Sequence, residues 1–302
     1  MGRQHVGNFS SDGQFYRGNL HGHSTNSDGD LTPEQHCRFY QQAGYDFVCL
    51  SDHFRPIYDF QISDTSPFRK DDFTTIIGAE LHTGRMGNGE IWHFLAVGLP
   101  LDFEPPSETE TAADMAARAL NAGAFLAYAH PEWNSLTLED ALSMPDGMHA
   151  VEVFNTTSST KGRGEGSALL DQLLNSDRRP CAIAVDDVHR YHRDALGGWV
   201  MVKAAKNTPE ALLQSLKRGL FYASTGADLI NVERHDDFLH VECSPVDSVW
   251  LLGHGAKVTW VDGEGITRAK LPLDKFKGGY ARLSIQASDG TRAWSNPLFL
   301  NE

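Results

Sequence analysis

Short apolar segments in this chain repeatedly run straight into metal-capable side chains, and that recurrence limits the fold more than any other feature. Asp46-Phe47-Val48-Cys49-Leu50 leads to Asp52-His53, and Thr74-Thr75-Ile76-Ile77-Gly78 leads to Glu80. Residues 124–128 lead to His130, and residues 181–185 to Asp187 and His189. His21-Gly22-His23, with Asp28-Gly29 close behind, follows the apolar stretch that opens near Phe15. Side chains at i and i+2 on an extended chain share one side of it, so His21 and His23 point together. Strand-end His, Asp and Glu are costly to bury alone, whereas a shared cation satisfies them jointly. The chain therefore calls for a fold that gathers its strand ends at one place.

Helical patterns separate these strands. Thr32-Pro33-Glu34 predicts a capped helix that passes Phe39-Tyr40 and stops at Gly44. Further helices are expected over 112–121, 138–144 and 167–174, and after Thr208-Pro209-Glu210 as far as Gly219. Strand–helix alternation up to Gly226 is the signature of an α/β fold, and in a (β/α) barrel the strand ends converge on one mouth. Beyond it, residues 229–300 read as short strands with turns at Asp262-Gly263 and Asp289-Gly290. The expected division is a barrel over 1–226 and a small all-β domain over 227–302, with Trp250, Trp260 and Trp294 in the latter's core.

The formal net charge of −14 opposes a surface that holds nucleic acid, leaving a small-molecule substrate as the expected partner. No apolar run is long enough to span a bilayer. Residues 1–16 are polar without a secretory core, and Val6 stands where a myristoylation site needs Ser or Thr. Cys37, Cys49, Cys181 and Cys243 form no CxxC pair. They read as free thiols in a cytoplasmic protein, with Cys49 and Cys181 buried.

His21-x-His23 with Asp28-Gly29, Ser51-Asp52-His53, Gly78-Ala79-Glu80 and Asp187-x-His189 resemble the polymerase-and-histidinol-phosphatase (PHP) superfamily. The strings Tyr16-Arg17-Gly18-Asn19-Leu20-His21, Ala43-Gly44-Tyr45-Asp46-Phe47 and Phe221-Tyr222-Ala223-Ser224-Thr225-Gly226 resemble its carbaryl-hydrolase branch. The ending Ala293-Trp294-Ser295-Asn296-Pro297 resembles the β appendage of that branch. The resemblance implies a distorted (β/α)7 TIM-like barrel holding two to three divalent metal ions. It assigns His21, His23, Glu80 and Asp187 to one metal. Glu80 would bridge to a second, held by His93 and His130; Asp28, His53 and His189 would hold a third. Mixed imidazole and carboxylate donors suit zinc, manganese or iron.

Such a centre implies hydrolysis by a metal-bridging hydroxide, with no serine nucleophile required. Glu80 and Asp186 are the expected catalytic carboxylates, Asp186 by orienting a ligand histidine or moving protons. Arg55, Arg163, Arg190 and Asn155 are expected substrate contacts, with Tyr222, Ser224 and Thr225 lining the far side. His82, two residues after Glu80, could share its face, but is expected rather to back the ligands or face solvent; Glu152 is expected either to face the mouth or to pair with Arg or Lys. The remaining histidines, His36 and His149 among them, have no convergent placement. A phosphomono- or diester is the favoured substrate. A carbamate or carboxyl ester is the alternative, and a non-catalytic regulatory module the third reading.

Overall fold

The structure, a computed structural model, describes residues 12–300 together with Gln4, His5 and Phe9. Val6, and with it the myristoylation reading, lies outside the described residues, as does most of the polar stretch before residue 12. The chain opens with β1 (Gln4–His5), β2 (Gln14–Asn19), α1 (Pro33–Gln42), β3 (Phe47–Leu50) and β4 (His53–Phe54). A long pair follows, β5 (Thr74–Arg85) and β6 (Ile91–Val97). Next come α2 (Ala112–Asn121), β7 (Phe125–Tyr128), α3 (Leu138–Leu142), β8 (Ala150–Asn155), α4 (Thr156–Ser159), α5 (Ser167–Asn175) and β9 (Cys181–Val185). Then follow α6 (Tyr191–Asp194), β10 (Trp199–Ala204), α7 (Pro209–Lys217) and β11 (Phe221–Ser224). The rest is β12 (Leu229–His235), β13 (Phe238–Gly253), β14 (Val258–Pro272), β15 (Tyr280–Gln286), β16 (Arg292–Ser295) and β17 (Leu298–Phe299), with one 3-10 turn.

Local sequence explains where the helices start. Thr32, Thr111, Thr137 and Thr208 each accept a first-turn backbone N–H of α1, α2, α3 and α7. Gln35 and Asp114 reach back to complete capping boxes on α1 and α2. Buried residues then line one side of each longer helix, for example Met115, Ala116 and Ala119 on α2.

The result is a mixed α/β fold around one large sheet. β2, β3 and β5 are parallel neighbours, as are β7, β8 and β9. The antiparallel pair β5–β6 joins the two sets through β7. On the other flank β10 pairs antiparallel with both β2 and β11, and β11 leads through β16 to β15 and β13. An apolar cluster draws Phe47 and Cys49 from β3, Ile183 and Val185 from β9, and Phe221 from β11 into one packed interior.

Four details depart from the sequence reading. β5 does not end near Gly78 but continues to Arg85, because β6 folds back along it and pairs Glu80 with Leu95 and His82 with His93. Glu80 and His93 are therefore mid-strand. β10 is a strand with no counterpart in the reading. Asp262-Gly263 is no hairpin turn; it lies inside β14, at a register shift where residues 263–265 face Asp247 alone. The tryptophans also separate: Trp294 is fully buried but packs with Leu169, Leu170 and Val153, whereas Trp260 is 55% exposed opposite Trp250.

Candidate metal centre

Main-chain pairing brings the predicted donors together. Past the end of β2, Gly22 bridges to Val188, His23 N donates to Val188 O at 2.9 Å, and Asp187 N donates to His21 O at 2.9 Å. On the other side Ser51 N donates to Gly22 O at 2.9 Å, and Glu80 N donates to Ser51 O at 3.0 Å. A ladder therefore continues past the strands and sets residues 187, 21–23, 51 and 80 side by side. Glycine at position 22 is required by its neighbours, since a Cβ there would lie 2.7 Å from the His36 ring.

Glu80 is the hub. Its Oε1 lies 2.8 Å from His93 Nδ1 and 2.9 Å from His130 Nε2. Its Oε2 lies 2.5 Å from His53 Nδ1, 3.2 Å from His82 Nε2, and 3.7 Å from the Nε2 atoms of both His21 and His23. Asp187 Oδ1 adds contacts of 2.9 Å to His23 Nε2 and 3.4 Å to His21 Nε2. Asp28 completes the outer edge, 3.3 Å from His53 Nε2 and 3.5 Å from His189 Nε2. The ring of His53 stacks on His23 at 4.1 Å, and that of His189 lies tilted beside it at 4.3 Å.

These groups form potential cation sites: His23, Asp28, His53 and His189; His21, Glu80 and His130; His21, His23 and Asp187; and His53, Glu80 and His82. His93 joins through Glu80. The donor set fits divalent metal ions, because His21 Nε2 and Glu80 Oε2 are buried at its centre without a hydrogen-bond partner among the described residues. Burial pushes the Glu80 carboxyl up, yet His53, His82, His93 and His21 outweigh it and hold the group well below the usual range. Burial lowers and Asp187, Glu152 and Glu80 more than restore the His21 imidazole, which ends well above its usual value. Burial together with His53 and His189 drives His23 well down.

A second layer of side chains fixes the first. His21 Nδ1 donates to Glu152 Oε1 at 2.7 Å, turning Nε2 toward the cluster. Glu152 Oε2 accepts from His130 N at 2.7 Å and from Asn155 Nδ2 at 2.9 Å. Asp52 accepts from Ser24, Ser27 and Ser63 and so pins the loop that carries Asp28. His130 and Asp187 both hold positive φ, +28° and +55°, a strained backbone of the kind that concentrates at functional positions.

Several expected roles change. Asp186 accepts from Asn19, Tyr40, Thr156 and the N–H groups of Leu196, Gly197 and Gly198, and hydrogen-bonds to no histidine side chain among the described residues. It anchors the chain behind the site; Asn19 relays to His21 by accepting its N–H at 3.0 Å. Asn155 is fully buried and holds Glu152 and Asp187, so it has no surface for substrate. Glu152 pairs with His21 rather than with Arg or Lys, and His82 is 5% exposed against Glu80. Tyr222 and Ser224 bond locally to Asp228 and Ala227. Arg190 lies beside the site, its guanidinium 3.4 Å from Asp28 O, and Arg55 stands two residues after His53; Arg163 is exposed on the loop after α4. The signal for Glu152 was a carboxylate inside the apolar strand of residues 150–154, and for His82 its i+2 spacing from Glu80.

No family model matches the chain, and no curated protein matches it. Among solved structures, it resembles a two-domain protein from Bacteroides vulgatus described as containing a predicted PHP-like metal-dependent phosphoesterase. The two chains share 17% identity and a TM-score of 0.53 over 99% of each. A weaker likeness, at 15% identity and a TM-score of 0.41, covers 57% of this chain and 87% of a Bifidobacterium adolescentis protein named provisionally as a metal-dependent phosphoesterase. The overall fold is thus one that this chain shares with the Bacteroides protein.

Proposed function

We propose that the chain is a metal-dependent hydrolase of the PHP type and that it cleaves a phosphomono- or diester of a small molecule. The observation that carries this is the convergence of His21, His23, His53, His93, His130 and His189 on Glu80, Asp187 and Asp28. The fold shared with the Bacteroides protein supports it. The apolar interior common to β3, β9 and β11 supports a distorted barrel over 1–226, and the separate cluster around Val241, Leu251 and Ile285 supports a smaller β domain over 227–302. The free cysteines fit a reducing cytoplasm.

Two to three ions of zinc, manganese or iron would be held by these donors. Bound there, they would lower the pKa of water and polarise the scissile phosphoryl group. The protein's own residues supply orientation. Glu152 fixes the His21 ring, Asn155 ties Glu152 to Asp187, and Asp52 holds the loop of Asp28. Arg190 and Arg55, at the outer edge, are suited to an anionic substrate.

The test is elemental analysis of protein purified without added metal, joined to a hydrolysis screen. p-Nitrophenyl phosphate and its bis-ester should be cleaved in proportion to bound metal. Cleavage of naphthyl methylcarbamate alone would move the substrate class to carbamates. A metal-free chain whose stability ignores chelators would favour a regulatory module.

A further inference from the structure

We propose that His82 is itself a metal ligand, an inference that rests on the metallohydrolase reading and adds a donor to it. Two pairs already follow one spacing, His21-x-His23 and Asp187-x-His189, each placing two donors on the same side of the chain. Glu80-Leu81-His82 repeats it within β5, where alternation is enforced by pairing with β6. Leu81 points the other way, fully buried in the apolar cluster with Phe94 and Phe54.

Three observations set His82 apart from a core histidine. Its Nε2 lies 2.8 Å from His53 Nδ1 and 3.2 Å from Glu80 Oε2, so three donor atoms crowd one point. Glu80 Oε2 is buried without a hydrogen-bond partner of good geometry among the described residues, close as His53 Nδ1 comes to it. One proton on His53 Nδ1 cannot serve both the carboxylate and the second imidazole, whereas a cation satisfies all three. The His82 ring also faces His93 across the pair, centroids 4.1 Å apart, so it belongs to the shell of rings that encloses Glu80.

The deciding experiment measures metal per chain after loading with manganese or zinc and desalting, and the visible absorption of the cobalt-loaded protein. Wild type is compared with His82→Ala, His82→Gln and His82→Asp, with His254→Ala as a remote control in the exposed hairpin turn. His82→Ala and His82→Gln should lose close to one metal equivalent, or bind it at least about tenfold more weakly, and change the cobalt spectrum. His82→Asp, which restores a donor, should recover the metal; His254→Ala should match wild type. If His82→Ala fails to fold by circular dichroism, the Gln and Asp pair decides. Full metal content and an unchanged cobalt spectrum in His82→Gln overturn the inference while leaving the metallohydrolase reading intact. A wild-type chain that binds no metal overturns both.

Discussion

Oε1 of Glu152 lies 2.7 Å from Nδ1 of His21, and both side chains are fully buried. That contact selects the tautomer that leaves Nε2 of His21 free to face the cluster. Glu152→Gln keeps the volume but removes the charge that orients the ring. Metal affinity should fall by about 10–100-fold, read by titration calorimetry. Unchanged affinity would show that the pairing is incidental.

His53 meets Oε2 of Glu80, and Asp187 meets both His21 and His23. On the proposed function, His53→Ala or Asp187→Ala should reduce hydrolysis of p-nitrophenyl phosphate or its bis-ester to background while the far-UV circular dichroism stays close to wild type. Retained turnover in both variants would remove them from the reacting centre.

Asp186 differs in kind, since its six donors come from the surrounding scaffold. Asp186→Ala leaves those buried donors unpaired, a loss of about 3 kcal/mol or more. The melting temperature should drop by roughly 5 °C or more, a size set by the entropy of unfolding. A variant that loses turnover at unchanged melting temperature would instead return Asp186 to the chemistry.

Burial, with Lys217 nearby, lowers the His149 imidazole from 6.5 to about 4, while its Nδ1 accepts the Leu126 N–H at 3.1 Å. Between those two values the unfolded chain takes up a proton that the folded one refuses. The stability from neutral His149 is thus complete above about pH 6.5 and drains away as pH falls toward 4. His149→Gln should flatten that part of a melting-temperature profile; an identical slope would exclude His149 as a source.

Trp294 joins β16 to the cluster formed by Leu169, Leu170 and Val153. Trp294→Ala should cost about 3–5 kcal/mol through the cavity it leaves. Denaturation in urea should show one transition shifted as a whole. A shift confined to a separate, minor transition would make the C-terminal strands an independent unit.

Much of the site was legible because its determinants are local. His21-x-His23 needs only the two-residue period of an extended chain, and Thr32-Pro33-Glu34 only a helix cap. What escaped depends on partners distant in sequence. Glu152 and Asp186 are both buried carboxylates, and nothing nearby tells that one meets His21 while the other meets Asn19 and Tyr40. Gly78 read as a strand end because glycine often is one, yet β6 carries β5 onward. Asp262-Gly263 carried a turn signature that a bulge in a long pair also satisfies.

Among the described residues β9 pairs along its length only with β8, and the segment after it meets the end of β2 through one isolated bridge, Val188 to Gly22, carried by two main-chain bonds. The sheet thus keeps a seam that main-chain bonding barely stitches, and His21, His23 and Asp187 stand on its two edges. A cation held among these three would act as a clasp, fastening the first parallel strand to the last. Catalysis and closure of the scaffold would then share one bond set, and the tightness of that clasp would set how readily the seam breathes.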